Sequence, residues 1–118
     1  MEFSELTGKT LVKIETTDYE RIIFVDDTDT AYASCHQQDC CESVSVQEVI
    51  GNLDDVLNSP ILEASETFDT TEKPPEHPDS WTRTYQRLRT AKGEVTFHWL
   101  GESNGYYSET PYFGFTHA

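Results

Sequence analysis

Apolar and polar residues alternate with period two along most of the chain, and almost nowhere do they recur at helical spacing. Residues 10–16 (TLVKIET) set Leu11 and Lys13 against Val12 and Ile14, which predicts a first strand after the Thr7-Gly8 turn signal. Residues 21–25 (RIIFV) predict a second. Asp26-Asp27-Thr28-Asp29 is too polar to continue it and reads as a hairpin loop returning into residues 30–35 (TAYASC). Residues 43–49 (SVSVQEV) predict a short strand, and 61–68 (ILEASETF) another. Between them, Asn52 is a plausible N-cap, acidic residues follow in the first turn, and Ser59-Pro60 stops the run, so a short helix is predicted near 53–58.

Residues 69–80 (DTTEKPPEHPDS) hold three prolines and no other apolar side chain, and predict a solvated, mobile hairpin connection. The strongest hairpin follows it. Trp81, Arg83, Tyr85 and Arg87 share one strand face, Ala91-Lys92-Gly93-Glu94 turns the chain, and Val95, Phe97 and Trp99 share a face of the next strand. Residues 106–115 are aromatic enough for a closing edge strand, with Pro111 limiting where the backbone pairs. The expected fold is α+β but mostly β: a single domain over 1–118, built as one twisted antiparallel sheet of hairpins with the short helix near 53–58.

Charge adds a constraint on partners. The 118 residues carry 22 Asp and Glu against 8 Lys and Arg, a net −14. Residues 1–80 hold 19 of the acidic and 4 of the basic side chains, so the acidity belongs to that part and the remainder is close to neutral. Such a chain is not a free-standing nucleic-acid binder, because phosphate neutralisation needs clustered Lys and Arg. A partner with a basic surface is the natural inference. No apolar run approaches the ~18 residues of a membrane span, and the start of the chain lacks a secretory pattern, so a cytoplasmic setting is expected.

Two segments hold candidate chemistry. Cys35, Cys40 and Cys41 are odd in number and crowded together, which is no disulfide framework and suggests reduced thiols. His36, Cys40 and Cys41 are thiophilic-metal ligand types, but adjacent cysteines point apart along an extended chain and no second cluster completes a shell. His36 stands four residues before Cys40, yet the neighbouring carboxylates raise a thiol pKa rather than lower it. The expectation is therefore no metal, no cofactor and no catalysis. In the second segment, residues 101–109 (GESNGYYSE), Asn104-Gly105 reads as a hairpin turn, while Ser103, Asn104, Tyr106 and Tyr107 offer hydrogen bonds and stacking to a planar ligand.

The blocks HQQDCCESV (36–44), GNLDD (51–55) with SPIL (59–62), KGEVT (92–96) and GESNGYYSE (101–109), together with the opening LTGKTL (6–11), resemble a small family of short bacteriophage and prophage proteins, a domain of unknown function. The resemblance implies a viral or prophage setting and directs attention to Asp39-Cys40-Cys41-Glu42 and to residues 103–108. Two functional expectations follow. In the first, the protein binds and inhibits a basic-surfaced host protein of defence or nucleic-acid handling, using Asp26, Asp27, Asp29, Glu72, Glu76 and Asp79. In the alternative, it sequesters a nucleotide-type ligand, with Ser103, Asn104, Tyr106 and Tyr107 lining the pocket and Arg83, Arg87 or Arg89 meeting phosphate.

Overall fold

The computed structural model describes residues 1–36, 42–75, 78–105 and 108–117. Eight strands form: β1 (Leu11–Thr17), β2 (Arg21–Asp26), β3 (Ala31–Cys35), β4 (Ser43–Ile50), β5 (Glu63–Asp69), β6 (Ser80–Thr90), β7 (Gly93–Ser103) and β8 (Tyr112–Thr116). They build two four-stranded sheets rather than the single sheet expected, in the orders β1-β2-β3-β8 and β4-β7-β6-β5. All pairings are antiparallel. The division arises because β3 does not pair with the next strand in sequence. Its free side takes β8, with Ala31 opposite Thr116 and Cys35 opposite Tyr112, after the chain has made the whole second sheet.

The expected helix near 53–58 is also absent. In its place stands a single 3-10 turn, Leu53–Val56, and a second such turn, Phe3–Leu6, opens the chain. Asn52 does cap the first of these, its Oδ1 accepting the Asp54 N–H at 3.0 Å. Asn58 then adopts a left-handed φ of 59° before Pro60, so too few residues remain to cover the cost of nucleating an α-helix. Val56 is buried and anchors the turn.

One apolar cluster lies between the sheets. Alternation directs Ile22 and Phe24 of β2, Phe113 of β8, and Val95, Phe97 and Trp99 of β7 into it. Phe24 meets Phe97 edge-to-face across the interface, with ring centroids 5.7 Å apart, and Phe3 packs edge-on against both Phe24 and Phe113. Each such ring contributes roughly 1.5–3 kcal/mol of burial. The one polar demand of Trp99 is met by Gln86, whose Oε1 accepts the indole N–H at 3.0 Å. The outward face of the second sheet is left to Arg83, Tyr85, Arg87 and His98.

Residues 70–79 do join β5 to β6 as a hairpin connection, but they are not simply solvated. Pro74 is buried, the Glu72 carbonyl accepts the Arg83 Nε–H at 3.1 Å, and Lys73 Nζ lies 5.8 Å from the Trp81 ring centroid. The described part of this segment is a strap folded back on its own sheet. Among the described residues no helix is long and apolar enough to cross a membrane.

Candidate functional site

The expected acidic residues fall into two groups with different roles. Asp26 is only 4% exposed. Its Oδ1 accepts the Thr28 N–H (2.9 Å), the Thr28 hydroxyl (2.7 Å) and the Thr30 N–H (3.0 Å), and its Oδ2 accepts the Tyr32 hydroxyl (3.0 Å). Its carboxylate therefore organises the β2-β3 turn and is not displayed to a partner. Asp27 and Asp29 at the tip of that turn are exposed, as are Glu72 and Asp79 in the strap. Glu76 lies outside the described residues.

The expected anion-binding arginines are already engaged. Arg83, 9% exposed, donates from Nε to Glu72 and from Nη1 to His98 Nε2 at 3.1 Å. Because a guanidinium only donates, His98 Nε2 accepts, and the ring N–H sits on Nδ1, facing Glu48 Oε1 at 3.3 Å. Tyr85 stacks on the imidazole at a centroid distance of 4.8 Å. Arg87 pairs with Glu94 (3.0 Å) and Glu63 (3.4 Å), and Arg89 lies 3.9 Å from Glu63. Arg83→Ala is expected to destabilise by about 2–3 kcal/mol, since it empties the space of a buried side chain, leaves Nε2 of buried His98 unpaired and releases the Glu72 carbonyl. Limited proteolysis should then cut within 70–79, whereas Arg89→Ala, a surface pair, should change melting by less than about 1 kcal/mol.

Sheet register brings together side chains that are far apart in sequence. Ser43 at the start of β4 and Trp81 at the start of β6 both lie opposite Glu102 near the end of β7, and Ser80 lies opposite Ser103. At this end of the second sheet are two adjoining open clefts. The first, about 330 Å³, is lined by Glu42, Ser43, Pro78, Asp79, Glu102, Ser103 and Asn104. The second, about 270 Å³, is lined by Asp79, Trp81, Thr82, Glu109 and their neighbours.

Chain crossing fixes the floor of the second cleft. The residues before β8 pass directly over Gly101, where an added Cβ would stand 1.8 Å from the Glu109 carbonyl oxygen. That passage delivers the Glu109 carboxylate to two hydroxyls: Thr82 donates to Oε1 at 2.9 Å and Ser103 donates to Oε2. Ser103 Oγ in turn accepts the Gly105 N–H at 2.9 Å. Among the described residues, the carboxylates of Asp79, Glu102 and Glu109 thus border the clefts, with the buried side chain of Glu42 behind the first, and no Lys or Arg lines either of them. Such a surface attracts a cation and repels phosphate.

Glu42 lies in the block singled out around Cys40, and Glu102 and Glu109 in residues 101–109, but nothing local in the sequence joins the two segments. Only the pairing of β4, β6 and β7 makes them neighbours. Ser103 and Asn104 do line a cleft, but Tyr106 and Tyr107 lie outside the described residues, as do Cys40 and Cys41. His36 has its Nδ1–H on the Thr110 carbonyl (3.2 Å) and its Nε2 3.8 Å from Glu42 Oε1. No group of three His, Cys, Asp or Glu among the described residues is placed to hold a metal ion.

The molecule is therefore a two-sheet antiparallel β domain with an acidic end. The chain belongs to the family defined as the domain of unknown function DUF7448, whose model matches residues 4–113. No curated protein and no solved structure matches it.

Proposed function

We propose that this protein is a non-enzymatic binding protein of phage or prophage origin that occupies the basic working surface of a host protein in the host cytoplasm. The observation that carries this reading is how the protein uses its own cations. Lys13 and Arg87 make ion pairs with Glu15, Glu63 and Glu94, and Arg89 lies near Glu63. Arg21 donates to Thr116, Arg83 to Glu72 and His98, and Lys92 to the Leu57 carbonyl. Lys9 and Lys73 sit over the rings of Tyr32 and Trp81. All eight basic side chains thus have partners inside the molecule, and a carboxylate excess of 14 remains.

Asp27 and Asp29 on one turn, and Glu72 and Asp79 on the strap, are the exposed members of that excess best placed to meet a partner. The clefts around Asp79 suit a Lys or Arg side chain of that partner. Exposed charges of this kind steer encounter and set partner choice more than they add affinity. The test is to recover the partner from host lysate, then titrate it with wild type and with the combined Asp27→Asn, Asp29→Asn, Glu72→Gln and Asp79→Asn variant. At roughly 0.3–0.7 kcal/mol for each exposed charge, the variant should bind about 10- to 100-fold more weakly and with a flatter salt dependence. Equal affinity and an unchanged salt slope would refute the proposal.

A further inference from the structure

The four sheet edges are not protected alike. β1 carries Lys13 and Glu15 and a register shift between Leu11 and Lys13, and β4 carries Glu48 and a shift between Val46 and Glu48. β5 carries Glu63, Glu66 and Asp69. Charges and bulges of this sort keep an edge from pairing with another chain. The fourth edge, β8, reads Tyr112-Phe113-Gly114-Phe115-Thr116, with no charge, no proline and an unbroken register to β3. It also holds two of the most exposed large apolar side chains described, Tyr112 at 69% and Phe115 at 70%, on opposite faces of the strand.

We infer that β8 is a self-association edge: two copies of this chain pair antiparallel through it, joining two four-stranded sheets into one of eight strands. A two-fold axis at Gly114 gives a register in which each feature meets a fitting one. On the inner face, exposed Phe115 comes opposite the partner's Phe113, next to Tyr32, whose ring already lies 5.4 Å from Phe115. On the outer face, Tyr112 comes opposite the partner's Thr116. Arg21 donates to that same Thr116 hydroxyl within each copy, so the pairing also brings a guanidinium beside each exposed Tyr112 ring. Gly114 permits this arrangement, because a Cβ there would lie 2.9 Å from Tyr112 Cε1, and its absence lets the ring lie along the strand toward the axis.

No like charges face each other across this seam, since the strand has none. The net −14 of each copy still repels at longer range. Screening by salt should therefore tighten the association, which is the opposite of the salt response expected for a basic partner. This separates the inference from the proposed function, and either can fail without the other.

Sedimentation equilibrium of the full chain over a wide concentration range tests it, in about 0.05 M and about 0.5 M salt, which bracket the ionic strength where the Debye length is about 8 Å. Wild type is expected to rise from 13.5 kDa toward twice that mass, at lower concentration in the higher salt. Phe115→Lys and, separately, Tyr112→Lys should each raise the dimer dissociation constant more than tenfold while circular dichroism and melting report a folded domain. Both sites are exposed, so if one variant fails to fold, the other still decides. Leu62→Lys, at an exposed position outside β8, should leave the dissociation constant unchanged. A mass of 13.5 kDa under all conditions would overturn the inference, as would association weakened by salt or weakened equally by Leu62→Lys.

Discussion

Gly101→Ala is expected to destabilise the protein by roughly 3 kcal/mol and to lower its melting temperature by roughly 10–15 °C. The methyl group would have to share space with backbone: the Glu109 carbonyl oxygen at 1.8 Å, its carbonyl carbon at 2.5 Å and its Cα at 2.7 Å. A flexible side chain can swing aside, but this segment is the link that carries the chain from β7 in the second sheet to β8 in the first. Displacing it pulls Glu109 away from Thr82 and Ser103 and opens the floor of the second cleft. Gly105 provides the comparison, because its φ is 97° and nothing among the described residues lies within 4 Å of a Cβ there. Gly105→Ala should cost only the about 1–2 kcal/mol of a left-handed alanine. Thermal melts of the two variants side by side check this. A Gly101→Ala protein that melts no lower than Gly105→Ala would mean that the crossing yields and does not clamp the two sheets.

The same crossing shows why the sequence revealed strands but not their arrangement. Alternation is local: Val95, Phe97 and Trp99 announce a buried face because neighbours two apart share a side, and all three are buried. Nothing local tells Ala31 that its partner is Thr116, so one meander and two packed sheets share the same pattern. The 53–58 segment misleads for a related reason. Asn52 and the two aspartates after it are sound helix-start signals, but a cap cannot supply the length a helix needs, and the buried Val56 together with left-handed Asn58 holds the segment to a single turn. The 69–80 segment looked solvated because its composition is polar and proline-rich. Its attachment depends on Arg83 and Trp81 of the following strand, whose reach back cannot be read from the loop itself. Of the acidic site, the exposed aspartates were legible as charge, while the clefts required register. Asp26 carried a readable signal after all: Asp followed by Thr28 and Thr30 is the spacing at which a carboxylate folds the backbone around itself.

That role makes Asp26→Ala the second large effect, an expected loss of about 2–4 kcal/mol, with Asp26→Asn nearer the lower end. Burial pushes the Asp26 pKa up, but the Thr28 hydroxyl, the Thr30 and Thr28 N–H groups and the Tyr32 hydroxyl together outweigh burial and hold it below the ordinary aspartate value. Tyr32 responds in the opposite sense, raised by its own burial and by the bond it donates to Asp26. The sign of the pH dependence follows. An unfolded aspartate takes up its proton near pH ~3.9, above the folded pKa, so on acidification the unfolded chain binds the proton first. The contribution of Asp26 is therefore complete above about pH 4 and is lost as pH falls through the lower folded value. Glu66 works against this trend, since burial, eased by Gln86 and reinforced by Glu2, raises its pKa and favours the folded state as acid is added. The difference in stability between wild type and Asp26→Asn removes that background. It should stay constant from neutral pH down to about 4 and shrink below it. A difference that is flat across the whole acid range would mean that the four hydrogen bonds do not favour the charged carboxylate. If they do, the turn that exposes Asp27 and Asp29 is held by the one buried aspartate of the three.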